Sequence, residues 1–342
     1  MTFPDDRPSV LNLHVGEIVE VRGPDEILAT LDRKGCLDSL PFMPEMLRHC
    51  GKRFWVSRRA DRTCDTIENS GMRRMTNAVH LENLRCDGDA HGGCQAACLV
   101  FWKEAWLKRV ADHRNGGNGS AASVQLEAAR SRLMAFVRQA AGPEDQDGPS
   151  YFCQATELRR ATSELKEKEW QQFLRDMFSG TLSVVQVLQV VLIRLFNKIQ
   201  VSRGGLRYPS LGVGSGFGGC ASKTPRAVLN LVPGECVQVK TTDEIRETLD
   251  GDNKNRGLTF DVEMVRYCGG RYRVRQRVEQ IINERTGKML RLPNDCVILD
   301  GAVCTGEFHQ LCPRSIFPYW REVWLKRVDD GAGNVVSTGD SR

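Results

Sequence analysis

Two sets of cysteine and histidine residues recur 218 positions apart in this chain, and each set could hold a metal ion. Three thiolates and one imidazole form a common tetrahedral zinc set. In each set a C-x4-H-x2-C cluster follows a single cysteine that lies 36 residues upstream. We therefore predict two zinc ions per chain. The predicted ligands are Cys50, Cys86, His91 and Cys94 in the first set and Cys268, Cys304, His309 and Cys312 in the second.

Four protein ligands leave no open coordination position, so the spacing indicates structural zinc sites. Gly88, Gly92 and Gly93 lie inside the first cluster and supply the backbone freedom that a tight ligand loop requires. An iron–sulfur centre is the main competing interpretation, because thiolates also bind iron. The alternative is that these cysteines are small buried side chains that bind no metal. That interpretation does not explain why two complete sets recur at one offset.

The repeat extends well beyond the ligands. Gly16-Glu17 matches Gly234-Glu235 without a gap, and Glu45-Met46 matches Glu263-Met264 in the same alignment. Near its end the repeat keeps two tryptophans four residues apart, and we expect these large side chains to anchor the core. They are Trp102, Trp106, Trp320 and Trp324. The pattern predicts a duplicated domain of about 100 residues.

Short alternating segments predict that each repeat consists mostly of strands. Val19 and Val21 alternate with charged residues, and residues 53–57 and 271–275 alternate in the same way. Short helical turns are expected over 25–31 and 243–249, with the first aspartate of each as the N-cap. This spacing of strands favours a small SH3-like β-barrel, and a zinc-ribbon-like sheet is the alternative.

Helical periodicity between the repeats predicts three helices, over 123–141, 163–178 and 183–200. The third is dense in Val, Leu and Ile, but Gln186, Gln189 and Arg194 interrupt it. Its apolar run is also shorter than the ~20 residues that span a bilayer, so no transmembrane segment is expected. We expect a buried core helix here. An oligomerisation or partner helix is the second interpretation, and a membrane contact is the third.

Together these patterns predict a multi-domain α+β protein in which two duplicated, zinc-stabilised, SH3-like β-barrel domains flank a helical middle segment. The predicted boundaries are 11–112 for the first zinc-binding domain, 120–203 for the helical domain, 204–226 for a Gly/Ser/Pro-rich linker and 227–330 for the second zinc-binding domain.

Composition says less about partners and location. The 48 basic and 43 acidic residues give a formal net charge of +5, which is too small to indicate a particular partner. No apolar signal-like stretch follows Met1, and the thirteen cysteines include sets with histidine in metal-like spacing. Both features favour a reducing compartment, so we expect a cytoplasmic protein.

A basic strand is the clearest candidate binding surface. Four arginines alternate along one predicted strand and would project from one face of it: Arg271, Arg273, Arg275 and Arg277. Such a face could contact phosphates or other anions. The alternative is a solvated face whose arginines pair with neighbouring acids.

The sequence lacks the usual signatures of catalysis. No Ser-His-Asp arrangement, Walker loop or H-E-x-x-H motif is recognisable, and the chain has six histidines. We therefore predict a non-catalytic zinc-binding scaffold protein that recognises a protein, peptide or nucleic acid, with possible oligomerisation through the helical segment. One alternative is a metal-dependent or accessory biosynthetic enzyme with a cleft between the repeats. The other is an iron–sulfur redox protein.

Overall fold

The computed structural model of the chain describes residues 10–68, 70–110, 121–139, 144–145, 148–165, 177–205, 208, 224–293 and 295–328. Over these residues the protein is mixed α+β, with sheet-rich N- and C-terminal regions, a half-barrel sheet and a few helices. The linker predicted over 204–226 lies mostly outside the described residues. The chain divides into two compact units: Met1–Val184 with Ile282–Met289 and Cys312–Arg314, and Val185–Ile281 with Leu290–Leu311 and Ser315–Arg342.

Most of the regular structure consists of short strands. In the N-terminal half these are β1 (Ile18–Val21), β2 (Cys36–Leu37), β3 (Leu40–Pro41), β4 (Arg53–Arg59), β5 (Arg62–Cys64), β6 (Met72–Arg74), β7 (Ala78–Arg85), β8 (Leu99–Lys103), β9 (Leu107–Arg109), β10 (Glu144–Asp145), β11 (Gly148–Pro149) and β12 (Ser163–Glu164). In the C-terminal half they are β13 (Cys236–Val239), β14 (Lys254–Asn255), β15 (Leu258–Thr259), β16 (Arg271–Arg277), β17 (Gln280–Ile282), β18 (Met289–Arg291), β19 (Cys296–Leu299), β20 (Trp320–Arg321) and β21 (Leu325–Arg327).

The helices are fewer. Within the described ranges, the α-helices are α1 (Pro24–Leu28), α2 (Ala121–Gln139), α3 (Gln154–Glu157), α4 (Val184–Ser202) and α5 (Thr242–Arg246). Short 3-10 helices span Pro44–His49, Asp89–His91, Glu104–Trp106, Val262–Tyr267 and Glu322–Trp324.

The two predicted helical turns form, but aspartate does not cap them. Gly23 precedes α1, and Pro24 at the first helical position presets the backbone angle that a helix start needs. Thr241 caps α5 by accepting a hydrogen bond from the Glu244 N–H at 3.3 Å, and the Glu244 carboxylate accepts one from the Thr241 N–H. These two bonds form a reciprocal capping box, so Thr241 and Glu244, and not Asp243, satisfy the backbone N–H groups at the start of the helix.

Two five-stranded sheets dominate the molecule, with strand orders β8-β7-β4-β1-β9 and β20-β19-β16-β13-β21. Their registers agree at positions 218 apart. Ile18 pairs with Trp55 in the first sheet, and Cys236 pairs with Arg273 in the second. A bulge interrupts β4 after Val56 and β16 at the equivalent residue. The strands predicted over 53–57 and 271–275 are therefore confirmed as parts of β4 and β16.

The tryptophans anchor the core, as predicted. All four are completely buried. Trp106 packs edge-on against Phe42 with ring centroids 5.2 Å apart, and Trp324 packs against Phe260 at the same separation. The Trp106 indole N–H also donates to the Thr30 hydroxyl at 3.1 Å, which satisfies its buried polar atom.

A buried glutamate beside these tryptophans fixes the segment that leads into each sheet. The Glu104 carboxylate accepts hydrogen bonds from the backbone N–H groups of residues 11–13 and pairs with Arg59 at 2.7 Å. In the second sheet Glu322 accepts from the N–H groups of residues 229–231 and pairs with Arg277, also at 2.7 Å. The side chains of Glu104 and Glu322 are almost completely buried.

The helical predictions have mixed outcomes. The first predicted helix corresponds to α2. The second, over 163–178, falls mostly on residues that the structure does not describe. Its first two residues, however, form β12, which pairs with β6, so the predicted start is wrong. The pairing with a distant strand overrides the local helical pattern.

The third predicted helix forms as α4, but it is not a buried core helix. Val185 is 71% exposed and Leu192 is 63% exposed, whereas Val190 is buried. Among the described helices, α4 is long and apolar enough by length and composition to cross a membrane, with a mean hydropathy of 1.4. A single such helix is weak support for a membrane span. The prediction of a buried helix was wrong because the apolar pattern of a helix does not show whether other parts of the protein pack against it.

Candidate metal centre

The first predicted ligand loop begins directly after β7, at Cys86. The 3-10 turn Asp89–His91 folds it back, and the His91 N–H donates to the Gly88 carbonyl at 2.9 Å. Gly88 has φ +80°, and a Cβ there would lie 2.0 Å from the Cys94 carbonyl oxygen. The predicted need for glycine in this loop is therefore confirmed at this position, where both backbone angle and space exclude a side chain.

Glu45, Cys86 and His91 form a cluster, called here the first metal group, whose ligand atoms all lie within 4.8 Å of one another. Glu45 comes from the 3-10 helix Pro44–His49. Its Oε1 accepts a hydrogen bond from the Cys86 thiol at 3.0 Å and lies 3.2 Å from His91 Nε2. The side chains of both Glu45 and His91 are at most 5% exposed.

The second carboxylate oxygen, Glu45 Oε2, is buried and has no hydrogen-bond partner among the residues that the structure describes. An unsatisfied buried carboxylate oxygen is costly, and it needs a donor or a cation to offset the loss of hydration. Because it belongs to a cluster of thiol, imidazole and carboxylate, a metal ion with a preference for N, S and O ligands fits this place.

Electrostatics show what metal binding would require here. Burial raises the pKa of the Cys86 thiol, and the nearby Glu45 carboxylate raises it further. Burial also acts to raise the pKa of Glu45, but the hydrogen bond and charge of His91 outweigh it and hold that pKa below its usual value. Cys86 must therefore lose a proton before it can coordinate a metal.

The second metal group consists of Glu263, Cys304 and His309, which meet the same 4.8 Å criterion. Here the glutamate is better satisfied. Glu263 Oε2 accepts from the Thr305 hydroxyl at 2.7 Å, and Oε1 accepts from the Phe308 N–H at the same distance. These bonds tie the glutamate to the loop that carries the cysteine and histidine.

The surroundings of the second group are also more open. His309 Nε2 lies 3.0 Å from Asp261 Oδ1, and the histidine side chain is 41% exposed. Gln310 and Leu311 stand where the first loop has Gly92 and Gly93, and they keep the left-handed backbone with φ of +56° and +58°. The two groups therefore share donors but differ in burial and in the partners of the carboxylate.

The structure brings together only two of the four predicted ligands in each repeat. Cys86 and His91 lie in the first group, and Cys304 and His309 lie in the second. Within the described residues, neither group includes the other four predicted ligands, which are Cys50, Cys94, Cys268 and Cys312.

Each upstream cysteine directly follows a 3-10 helix. Cys50 follows the 3-10 helix Pro44–His49 as its C-cap and belongs to the buried core. Burial raises the pKa of its thiol to about 11. Cys268 has the same place after Val262–Tyr267, and burial raises its pKa as well.

The downstream cysteines accept backbone hydrogen bonds. Cys94 Sγ accepts from the Ile282 N–H at 3.3 Å, and Cys312 Sγ accepts from the Cys64 N–H at 3.2 Å. Burial acts to raise the pKa of Cys312, but hydrogen bonds from Cys64 and Arg314 and the charge of Arg314 lower it to about 7.

Sequence reasoning missed the glutamates. The Glu45-Met46 and Glu263-Met264 match carried the signal, because both glutamates recur at the ligand offset. Three cysteines and a histidine already complete a plausible tetrahedron, so their spacing alone does not indicate a carboxylate ligand.

The predicted arginine strand is β16, and its four arginines have different surroundings. Arg273 is exposed, and its guanidinium donates to the Gly234 carbonyl at 2.9 Å. Arg275 is exposed, pairs with Asp300 at 3.2 Å and lies over the Phe317 ring. Arg277 instead holds the buried Glu322.

Arg271 is partly buried at the start of β16. Of the four arginines, Arg273 and Arg275 therefore present the most accessible positive charge.

Comparison with known proteins finds no matching family model, no similar curated protein and no similar solved structure.

Proposed function

We propose that this protein is a zinc-binding, non-catalytic binding protein, in which each β-rich repeat is a duplicated SH3-like domain stabilised by one ion. The observation that carries the proposal is the recurrence of one donor set, glutamate, cysteine and histidine, at the repeat offset. Carboxylate, thiolate and imidazole are all zinc ligands. Glu45 Oε2, which lacks a partner within the described part of the chain, supports a cation at the first group.

The spacing of the first group suits zinc. Zinc bonds of about 2.0–2.3 Å in a tetrahedron separate neighbouring donors by roughly 3.3–3.7 Å. The Glu45 Oε1 contacts at 3.0 and 3.2 Å need to open by only a few tenths of an ångström to meet this range. Because Glu45 and His91 are buried, an ion there would be shielded from substrates, which favours a structural role.

Metal analysis of the full-length chain tests the proposal. We expect two colourless zinc ions per chain, with Glu45→Gln losing one and Glu263→Gln losing the other. Cys153→Ser, which changes a buried cysteine outside both groups, is the control and should keep both ions. Charge-transfer bands in the visible spectrum would instead indicate iron–sulfur chemistry. If both glutamine variants keep their zinc but Cys50→Ser and Cys268→Ser lose it, the ligands are the three cysteines and one histidine predicted from the sequence.

For the partner surface, we propose the exposed part of β16. Arg273 and Arg275 carry positive charge at the surface, and Arg275 lies over the Phe317 ring. Such charge suits a phosphate backbone or an acidic peptide. If a nucleic acid binds here, affinity should fall with rising salt. The double variant Arg273→Gln/Arg275→Gln should then reduce the slope of log affinity against log salt by about 2. Lys34→Gln, an exposed charge in the other repeat, is the control. An unchanged slope in the double variant would exclude this surface.

A second candidate function is self-association through α4. Five exposed residues follow the 3-4-3-4 spacing of a coiled-coil seam: Val185, Leu188, Leu192, Leu195 and Ile199. Each is at least 43% exposed. A second copy of the same helix supplies the complementary seam, because a and d side chains pack into holes formed by the same residue types on the partner. We therefore propose a second copy of this chain as the occupant.

Light scattering of the full-length chain tests this second candidate. We expect an oligomer that Leu188→Ser/Leu195→Ser converts to monomer. Val201→Ser is a matched control, because Val201 is also exposed but lies off the seam. A monomeric wild-type chain would exclude self-association. A monomer that floats with lipid vesicles would favour a membrane contact instead.

A further inference from the structure

One contact geometry occurs twice inside the first compact unit. Cys94 Sγ accepts from the Ile282 N–H at 3.3 Å, and Cys312 Sγ accepts from the Cys64 N–H at 3.2 Å. Cys94 and Cys312 are equivalent in the repeat, and so are Cys64 and Ile282. The same contact is therefore made twice: Cys94 with Ile282, and its equivalent Cys312 with Cys64, the equivalent of Ile282.

The strand residue differs between the two contacts. Where one strand has the apolar Ile282, the other has Cys64, and this places a second thiol at the contact. The Sγ atoms of Cys64 and Cys312 lie 3.2 Å apart. A disulfide bond is about 2.05 Å long, so the sulfurs need to approach by only about 1 Å.

A buried arginine lies beside this thiol pair. The Arg314 side chain is 5% exposed and donates to Glu284 at 3.0 Å and to the Thr66 hydroxyl at 2.9 Å. Its charge also interacts with Cys64 and Cys312. A guanidinium near a thiol stabilises the thiolate, which is the reactive form towards oxidants. Glu284 offsets part of that charge, and Cys98 is a further thiol that interacts with it.

We propose that Cys64 and Cys312 are an oxidisable pair that closes to a disulfide in the presence of hydrogen peroxide. Cys64 is the partly exposed member, and Cys312 is buried. The Cys64 thiolate attacks one peroxide oxygen, the O–O bond breaks and hydroxide leaves, giving a sulfenic acid. The Cys312 sulfur then attacks the Cys64 sulfur, the S–S bond forms and the sulfenic oxygen leaves as water. In total two thiols lose two electrons and two protons, and peroxide becomes two waters.

Peptide mapping of the full-length chain tests the pair directly. The reduced protein is treated with hydrogen peroxide, the remaining thiols are alkylated, and a non-reducing tryptic digest is analysed by mass spectrometry. We expect one cross-link between peptide 63–73 and peptide 292–314, with fragmentation placing the bond at Cys312. A bond at Cys296 or Cys304, or the absence of any cross-link to Cys64, would overturn the proposal.

Three variants sharpen the result. Cys64→Ser should abolish the cross-link, whereas Cys98→Ser should keep it. The repeated geometry also offers a gain of function, because Ile282→Cys in the Cys64→Ser background should form a new bond to Cys94. If peroxide cross-links this double variant at Cys312 instead, the reciprocal contact is wrong. If Cys64→Ser does not fold, the wild-type map still decides the proposal.

Discussion

The buried glutamate of each repeat offers a quantitative test of the fold. Glu104 accepts three backbone hydrogen bonds and pairs with Arg59, whose side chain is 10% exposed. Glu104→Ala removes one of the two carboxylates that pair with the Arg59 guanidinium, the other being Asp61, and it leaves three backbone N–H groups without their acceptor, which together costs about 3–5 kcal/mol. Glu322→Ala should cost less, about 2–3 kcal/mol, because its partner Arg277 is 25% exposed and water can solvate it.

Native-state hydrogen exchange is the appropriate measurement, because a chain with two compact units need not unfold in one step. The amides of residues 11–13 report on Glu104, and those of residues 229–231 report on Glu322. A loss of 3–5 kcal/mol raises the exchange rates near Glu104 by roughly two to four powers of ten. Glu17→Gln is the control, because its pair with Arg109 is exposed and contributes less than about 1 kcal/mol.

Two outcomes would refute this reasoning. In the first, the amides of residues 11–13 exchange no faster in Glu104→Ala than in Glu17→Gln, which would mean that the buried pair adds nothing to local stability. In the second, Glu322→Ala is the more damaging substitution, so solvent access to the arginine does not set the cost.

Three further predictions concern pH and the ligand loop. Burial lowers the pKa of His80 to about 3, so the unfolded chain binds a proton first as pH falls. Because of His80, the free energy of unfolding of the protein should therefore fall by about 1.4 kcal/mol per pH unit between pH 6.5 and about 3. His80→Gln should reduce the dependence of unfolding on pH over that window. Gly88→Ala should weaken zinc binding more than Gly51→Ala in competition titrations, because both positions have positive φ but only Gly88 lacks space for a Cβ. Zinc affinity of the first group should fall as pH falls, because Cys86 must release a proton, and calorimetry in buffers of different ionisation enthalpy should detect that proton.

Much of the sheet structure could be predicted from the sequence. Alternating apolar and polar residues in β1, β4 and β16 indicate the period of a strand, and bulky tryptophans at matched positions indicate a core. These signals are local, so they do not require knowledge of which distant segments meet. Helix α4 shows where local signals stop, because its periodicity predicts a helix but not its exposure.

Only the tertiary structure decided which donors meet. The repeat of cysteine and histidine at an offset of 218 is a property of the sequence, and it predicted a cluster in each half. Whether Cys50 or Glu45 completes that cluster depends on how the 3-10 helix Pro44–His49 packs and on which side chain it turns toward Cys86. Likewise, the contact between Cys64 and Cys312 joins residues 248 positions apart, which no spacing rule connects. Sequence patterns record periodicity along the chain, whereas coordination and thiol chemistry depend on distances that long-range packing sets.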